Sequence, residues 1–118
     1  MARHNNTGKE GETLAVKYFA ARAYKILHCN WRHRHWEIDI IAEKQGRLHF
    51  IEVKTRRTLT FGYPEESVTP RKMQYLINAS AAYLHKNPEW KRVQFDVLSI
   101  NIFPGEKIEY FLIEDVYL

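Results

Sequence analysis

A single cysteine, Cys29, is the only thiol in the chain, so no internal disulfide can form and a disulfide-stapled secreted scaffold is excluded. Nor is there an apolar run of membrane-spanning length. The opening residues, MARHNNTGKEGE, contain no apolar stretch, and Glu10 and Glu12 are out of place in a transit peptide. A cytoplasmic protein without a secretory signal is therefore expected. Glycine is scarce, at 5 residues, and no glycine-rich phosphate loop occurs. Ser67, Ser80 and Ser99 lack a nucleophile-elbow context. His33 and His35 have no second ligand pair at zinc-site spacing, which argues against a structural zinc.

What is present suits a folded domain. Hydrophobic residues make up 45% and aromatics 14% of 118 residues, enough for one domain over 1–118 with a real core. The formal charge of +4 favours an anionic partner, and local positive excess falls in KTRR (54–57), WRHRHW (31–36) and Arg71-Lys72.

Hydrophobic periodicity predicts a helix over 11–23, where Leu14, Ala15, Tyr18 and Phe19 recur at helical spacing. Strands are expected over 24–30, 36–43 and 47–54, the last two joined by a turn at Lys44-Gln45-Gly46. A loop follows over 55–68. Thr69 then reads as the cap of a helix with Pro70 at its first position, ending near Asn87-Pro88. Strands over 92–102 and 107–113, separated by a turn at 104–106, complete the chain. This order predicts an α/β domain whose mixed or mainly antiparallel sheet is covered by helices.

The segment FIEVKTRR (50–57) places Glu52 and Lys54 on one face of an apolar strand, because side chains alternate with period two. With Gln45-Gly46 as a two-residue turn, Asp39 falls opposite Glu52 and Glu37 opposite Lys54. Surface ion pairs account for Glu37 with Lys54. They do not account for Asp39 opposite Glu52, since opposed like charges destabilise a sheet. A hard divalent cation would relieve that repulsion, and Mg²⁺ is commonly held by one or two carboxylates. A neighbouring ammonium could then steady the extra negative charge of a phosphodiester transition state. Glu12 leans toward the packed side of the first helix. It reads either as a further acid of this site or as a glutamate favoured by the helix dipole.

Asp39, followed thirteen residues later by Glu52-Val53-Lys54, resembles the PD-(D/E)xK signature of restriction-endonuclease-like nucleases. GKEGETLAVKYF, NWRHRHWEIDIIA, HFIEVKTR, FGYPEESVTPRK and FDVLSI are similar, in that order, to the uncharacterised bacterial YraN-type family. That family is related in fold to archaeal Holliday-junction resolvases. The resemblance implies a restriction-endonuclease-like core with a mixed central sheet flanked by helices. It also implies Asp39 and Glu52 as metal ligands, Lys54 as the catalytic lysine and Glu12 as the additional acid. Two positions depart from the pattern: Ile38 replaces the signature proline, and Trp36 stands where the family usually has glycine.

The expected activity is Mg²⁺-dependent cleavage of DNA phosphodiesters, with Mn²⁺ as an alternative metal and branched or structured DNA as a candidate substrate. The rival is a nuclease-like module that binds nucleic acid without turnover. Arg56, Arg57, Arg71 and Lys72 are candidate phosphate contacts. WRHRHW suits phosphate contact and base stacking, yet the preferred reading is a solvated loop anchored by its tryptophans. The expected partner is nucleic acid, DNA first, with homodimerisation left open and no membrane.

Overall fold

A computed structural model describes residues 2–59 and 69–116, with side chains from residue 7 onward. The first helix, α1, runs from Ala2 to Ala20, so it begins before the expected start at 11 and ends short of 23. Its end is set by backbone geometry. Ala23 takes a left-handed conformation with φ of 69°, Tyr24 N–H donates to Phe19 O, and Ala23 N–H donates to Ala20 O. That pair of bonds is a Schellman cap, which closes a helix whatever the sequence periodicity beyond it.

Strands β1 (Lys25–His33), β2 (Trp36–Lys44) and β3 (Arg47–Arg57) follow, then α2 (Pro70–Lys86), β4 (Val93–Phe103) and β5 (Lys107–Ile113). They form one five-stranded sheet in the order β1-β2-β3-β4-β5. All neighbours are antiparallel except β3 and β4, which run parallel and are linked through α2. A parallel pair requires such a crossover, since a tight turn cannot reverse the chain twice. The α/β architecture, a mixed sheet with a helix against each face, is compatible with the restriction-endonuclease-like core.

The helices cover different faces. Ala15 and Phe19 of α1 pack with Ile40, Ile51, Leu98 and Ile100. Met73, Leu76, Ala79 and Tyr83 of α2 pack with Ile38, Ile41, Leu48 and Phe50. Thr69 caps α2 as expected, its Oγ1 accepting from Lys72 N–H at 3.2 Å. A buried polar tie joins β3 to β4, where His49 Nδ1 lies 2.7 Å from Asp96 Oδ2.

Three expectations need correction. The segment 31–36 is not a loop but the tip of the β1–β2 hairpin, turning at Arg34-His35 with Arg34 at φ 60°. Trp31 and Trp36 do pack on the α2-side core, as an anchored segment requires. The loop placed at 55–68 begins late, because β3 continues through Arg57 in register with Ile102 of β4; residues 60–68, with Gly62, Pro64 and Ser67, lie outside the described residues. Finally, the β2–β3 register matches expectation from Lys44↔Arg47 to Ile40↔Ile51, where the ladder stops. Neither Asp39 with Glu52 nor Glu37 with Lys54 is therefore a ladder pair: Asp39 turns to the Val53 N–H, and Glu37 meets Arg32 across β1–β2, with Nη2 to Oε1 at 3.5 Å.

Candidate active site

The site lies where β2 and β3 part. Ile38 packs on the α2 side and Ile40 on the α1 side, although residues two apart in a regular strand share a face. Asp39 sits at that break in alternation. Its Oδ2 accepts the Val53 N–H at 2.7 Å, holding the two strands together beyond the last ladder pair. The carboxylate is thus fixed by the same backbone group that the parting strands would leave unpaired.

Glu12, Asp39, Glu52, Lys54 and Lys72 line one cleft of about 370 Å³, together with Gly8, Val53 and Thr55. Each arrives by a different route. Glu52 and Lys54 project from the central strand β3. Glu12 is brought in by a close helix–strand approach at Gly11, where an added Cβ would stand 1.8 Å from Thr55 Oγ1. Only glycine permits that contact without a shift. Lys72, from the first turn of α2, reaches Glu52 with Nζ to Oε2 at 3.3 Å.

The electrostatics are acid-dominated. Burial, then the neighbouring Glu52 charge, pushes the Asp39 carboxyl up to about 7, against the partial relief of its Val53 hydrogen bond; Glu37 adds to the rise and Lys72 opposes it. Asn30 stands between two further acids. It donates to Glu12 Oε1 at 3.3 Å, and with its amide turned over its nitrogen lies 3.1 Å from both Glu12 Oε2 and Glu37 Oε2. The turned orientation is favoured, since an amide nitrogen rather than its oxygen belongs between carboxylates.

A hard divalent cation fits this donor set. The donors are carboxylate oxygens, and a positive ion between Asp39 and Glu52 would offset the burial and the Glu52 charge that raise the Asp39 carboxyl. Among the described residues no three His, Cys, Asp or Glu side chains gather as a ligand group. Glu12 lines the cleft but engages Asn30, so the fit is for an ion taking two carboxylates, as Mg²⁺ does.

The four candidate phosphate contacts are mostly engaged within the protein. Arg56 Nε donates to Asn101 Oδ1 at 2.9 Å, Arg57 bridges Glu10 and Glu106, and Lys72 holds Glu52. Arg71 is exposed and has no ion pair among the described residues. Sequence reasoning missed Tyr75 and set His35 aside with the rest of WRHRHW; both join Glu37, Asp39, Glu52 and Lys72 around an adjoining cavity of about 180 Å³. For Tyr75 a signal existed, since residue 75 lies three places after Lys72 and therefore on the same helical face.

A family profile described as uncharacterised protein family UPF0102 matches residues 11–100. The chain is 41% identical over 118 residues to a UPF0102 protein of Flavobacterium psychrophilum, covering 99% of this chain and 98% of that one. It is 50% identical over 94 residues to a UPF0102 protein of Chlorobaculum parvum, covering 79% and 73% respectively. A UPF0102 protein of Christiangramia forsetii is 41% identical over 118 residues, covering 99% and 98%.

Proposed function

The chain belongs to the uncharacterised protein family UPF0102, and from that premise we propose that it is a Mg²⁺-dependent endonuclease that cleaves DNA phosphodiesters, including those of branched or structured DNA. One observation carries the reading: Asp39 and Glu52 share a cleft in which the Asp39 carboxyl is driven up to about 7, and Lys54 lines the same cleft. A sheet maintained for structure alone gains nothing from that repulsion.

Asp39 and Glu52 would hold the ion, and Mn²⁺ suits the same oxygen donors. Bound there, the ion would polarise a phosphoryl oxygen and lower the pKa of a coordinated water. Lys54 would place a positive charge beside the negative charge developing on the phosphoryl oxygens. Lys72 pairs with Glu52, and were Glu52 to hold an ion instead, the Lys72 ammonium would be available to a phosphate oxygen. Glu12 and Glu37 hold Asn30 at the rim and maintain the negative potential that draws a cation in.

The test is a cleavage screen over single-stranded, duplex, flap and four-way-junction DNA, with and without Mg²⁺. Native protein is expected to cut at least one substrate only with metal. Lys54→Ala should slow cleavage on the order of a hundredfold or more while leaving DNA affinity nearly unchanged. Metal-independent DNA binding without cleavage of any substrate would replace this reading with the non-catalytic binding module.

A further inference from the structure

The cavity beside the carboxylates has a different character from the cleft. Its walls include the rings of His35 and Tyr75, 5.6 Å apart and at 88° to each other, while Glu37, Asp39, Glu52 and Lys72 supply its polar side. Tyr75 is 40% exposed, although it follows the buried Met73 and precedes the buried Leu76. An isolated exposed ring calls for no explanation. This one is part of a backed wall. His35 leans on Trp36 at 5.0 Å, Trp36 on His33 at 6.1 Å and His33 on Trp31 at 6.3 Å, and Trp31 meets Tyr83 of the core at 5.2 Å. The hairpin tip therefore presents its outermost ring from a support anchored in the α2-side core.

We infer that this cavity is a pocket for one unpaired nucleobase of the substrate strand, seated against Tyr75 and His35 beside the scissile phosphodiester. The inference rests on the nuclease reading, and it names the substrate class more closely: a strand unpaired at the cut. Asp39, Glu52 and Lys72 line both cavities, so a base in one is attached to a phosphate at the other. Aromatic faces accept any base by stacking. A base inside a duplex is stacked and paired, so it would have to leave the helix to enter. The polar side adds a preference. Glu37 is an acceptor able to take a hydrogen bond from an exocyclic amino group, as carboxylates do with cytosine. Adenine, cytosine and guanine carry such a group; thymine does not.

Binding without divalent metal tests the pocket directly. A short single strand and the corresponding duplex, each carrying 2-aminopurine, would be titrated with native protein, Tyr75→Leu, Tyr75→Phe and His35→Ala. Native protein should bind the single strand more tightly than the duplex and quench the 2-aminopurine. Tyr75→Leu should weaken single-strand binding about tenfold, the loss of one stacked base. Tyr75→Phe should keep the affinity, and neither variant should alter duplex binding or melting temperature. Equal effects on both DNAs, no effect on either, or no single-strand binding would overturn the pocket. The two readings fail separately. Metal-dependent cleavage with a flap-to-duplex rate ratio unmoved by Tyr75→Leu sinks the pocket alone. The expected binding pattern with no cleavage of any substrate sinks the nuclease alone.

Discussion

Asp39 has two duties that pull in opposite directions. Its carboxylate accepts the Val53 N–H at the point where β2 leaves β3, yet the ionised form is opposed by burial and by Glu52. In the unfolded chain an aspartate titrates near 3.9, whereas in the folded protein burial and the Glu52 charge push the Asp39 carboxyl up to about 7. The native state therefore holds the proton more tightly, so this residue's contribution to stability is greatest below about pH 4 and is lost as pH rises to about 7. Asp39→Asn keeps an acceptor for Val53 and removes the titration. In urea unfolding at pH 8 the variant should exceed native stability by roughly 1–3 kcal/mol, and the difference should vanish near pH 4. Mg²⁺ should raise the native melting temperature and leave that of the variant nearly unchanged; equal responses would remove Asp39 from the ion's ligands. The residue-level conflict was legible in the sequence, because a two-residue turn at Gln45-Gly46 brings Asp39 and Glu52 to neighbouring places on β2 and β3, although the ladder ends one pair before them. What replaced the expected Glu37–Lys54 pair was not legible. It depends on where the ladder stops, and beyond that point the Val53 N–H goes to the Asp39 carboxylate, a main-chain bond that the side-chain pattern does not report.

Elements were read best where side-chain pattern and chain geometry agreed. The β2–β3 turn, with Gln45 and Gly46 both at positive φ, and α2, with its Thr69 cap and Pro70, stand as expected. The C-terminal end of α1 was misplaced because its closure at Ala23 uses alanine where glycine is the usual signal. The docking of α1 was also hidden, since nothing in GKEGE says which strand its glycine will meet. Gly11 against Thr55 makes a testable element-scale claim. Alanine is about 1 kcal/mol better than glycine within a helix, but here its Cβ would enter the space of Thr55 Oγ1 and Cγ2. Gly11→Ala should therefore destabilise the fold by about 1–3 kcal/mol. Adding Thr55→Ala should recover part of that loss, which a double-mutant cycle on denaturant midpoints would show as a coupling between helix and strand. Additive effects would mean that α1 shifts freely over the sheet. In that case Glu12 is not fixed in the cleft.

For the molecule as a whole, the charge of +4 is spread unevenly, with acids concentrated in the cleft and most nearby arginines already occupied by acidic or amide partners. DNA affinity should fall with added salt, and Arg71→Ala should reduce the slope of log affinity against log salt by about 1. Arg56→Ala should cost less affinity than Arg71→Ala, because its guanidinium is held by Asn101. A salt-independent affinity would argue against phosphate contact altogether. The mixed sheet was legible in the order of elements; the placing of β3 at its centre required the crossover through α2 to be seen. That placing has a consequence for motion. Glu52 and Lys54 stand on the central strand β3, paired there with β4 just beyond the last ladder pair with β2, while His35 stands at the tip of a hairpin whose β1 is the sheet's edge. Deuterium should enter the amides of 31–36 well before those of 48–53, since edge segments open locally at lower free energy than central strands. On the nuclease reading, the tip would yield around a base while the central strand holds Glu52 and Lys54, so that admission of substrate and the chemistry upon it would run on separate clocks.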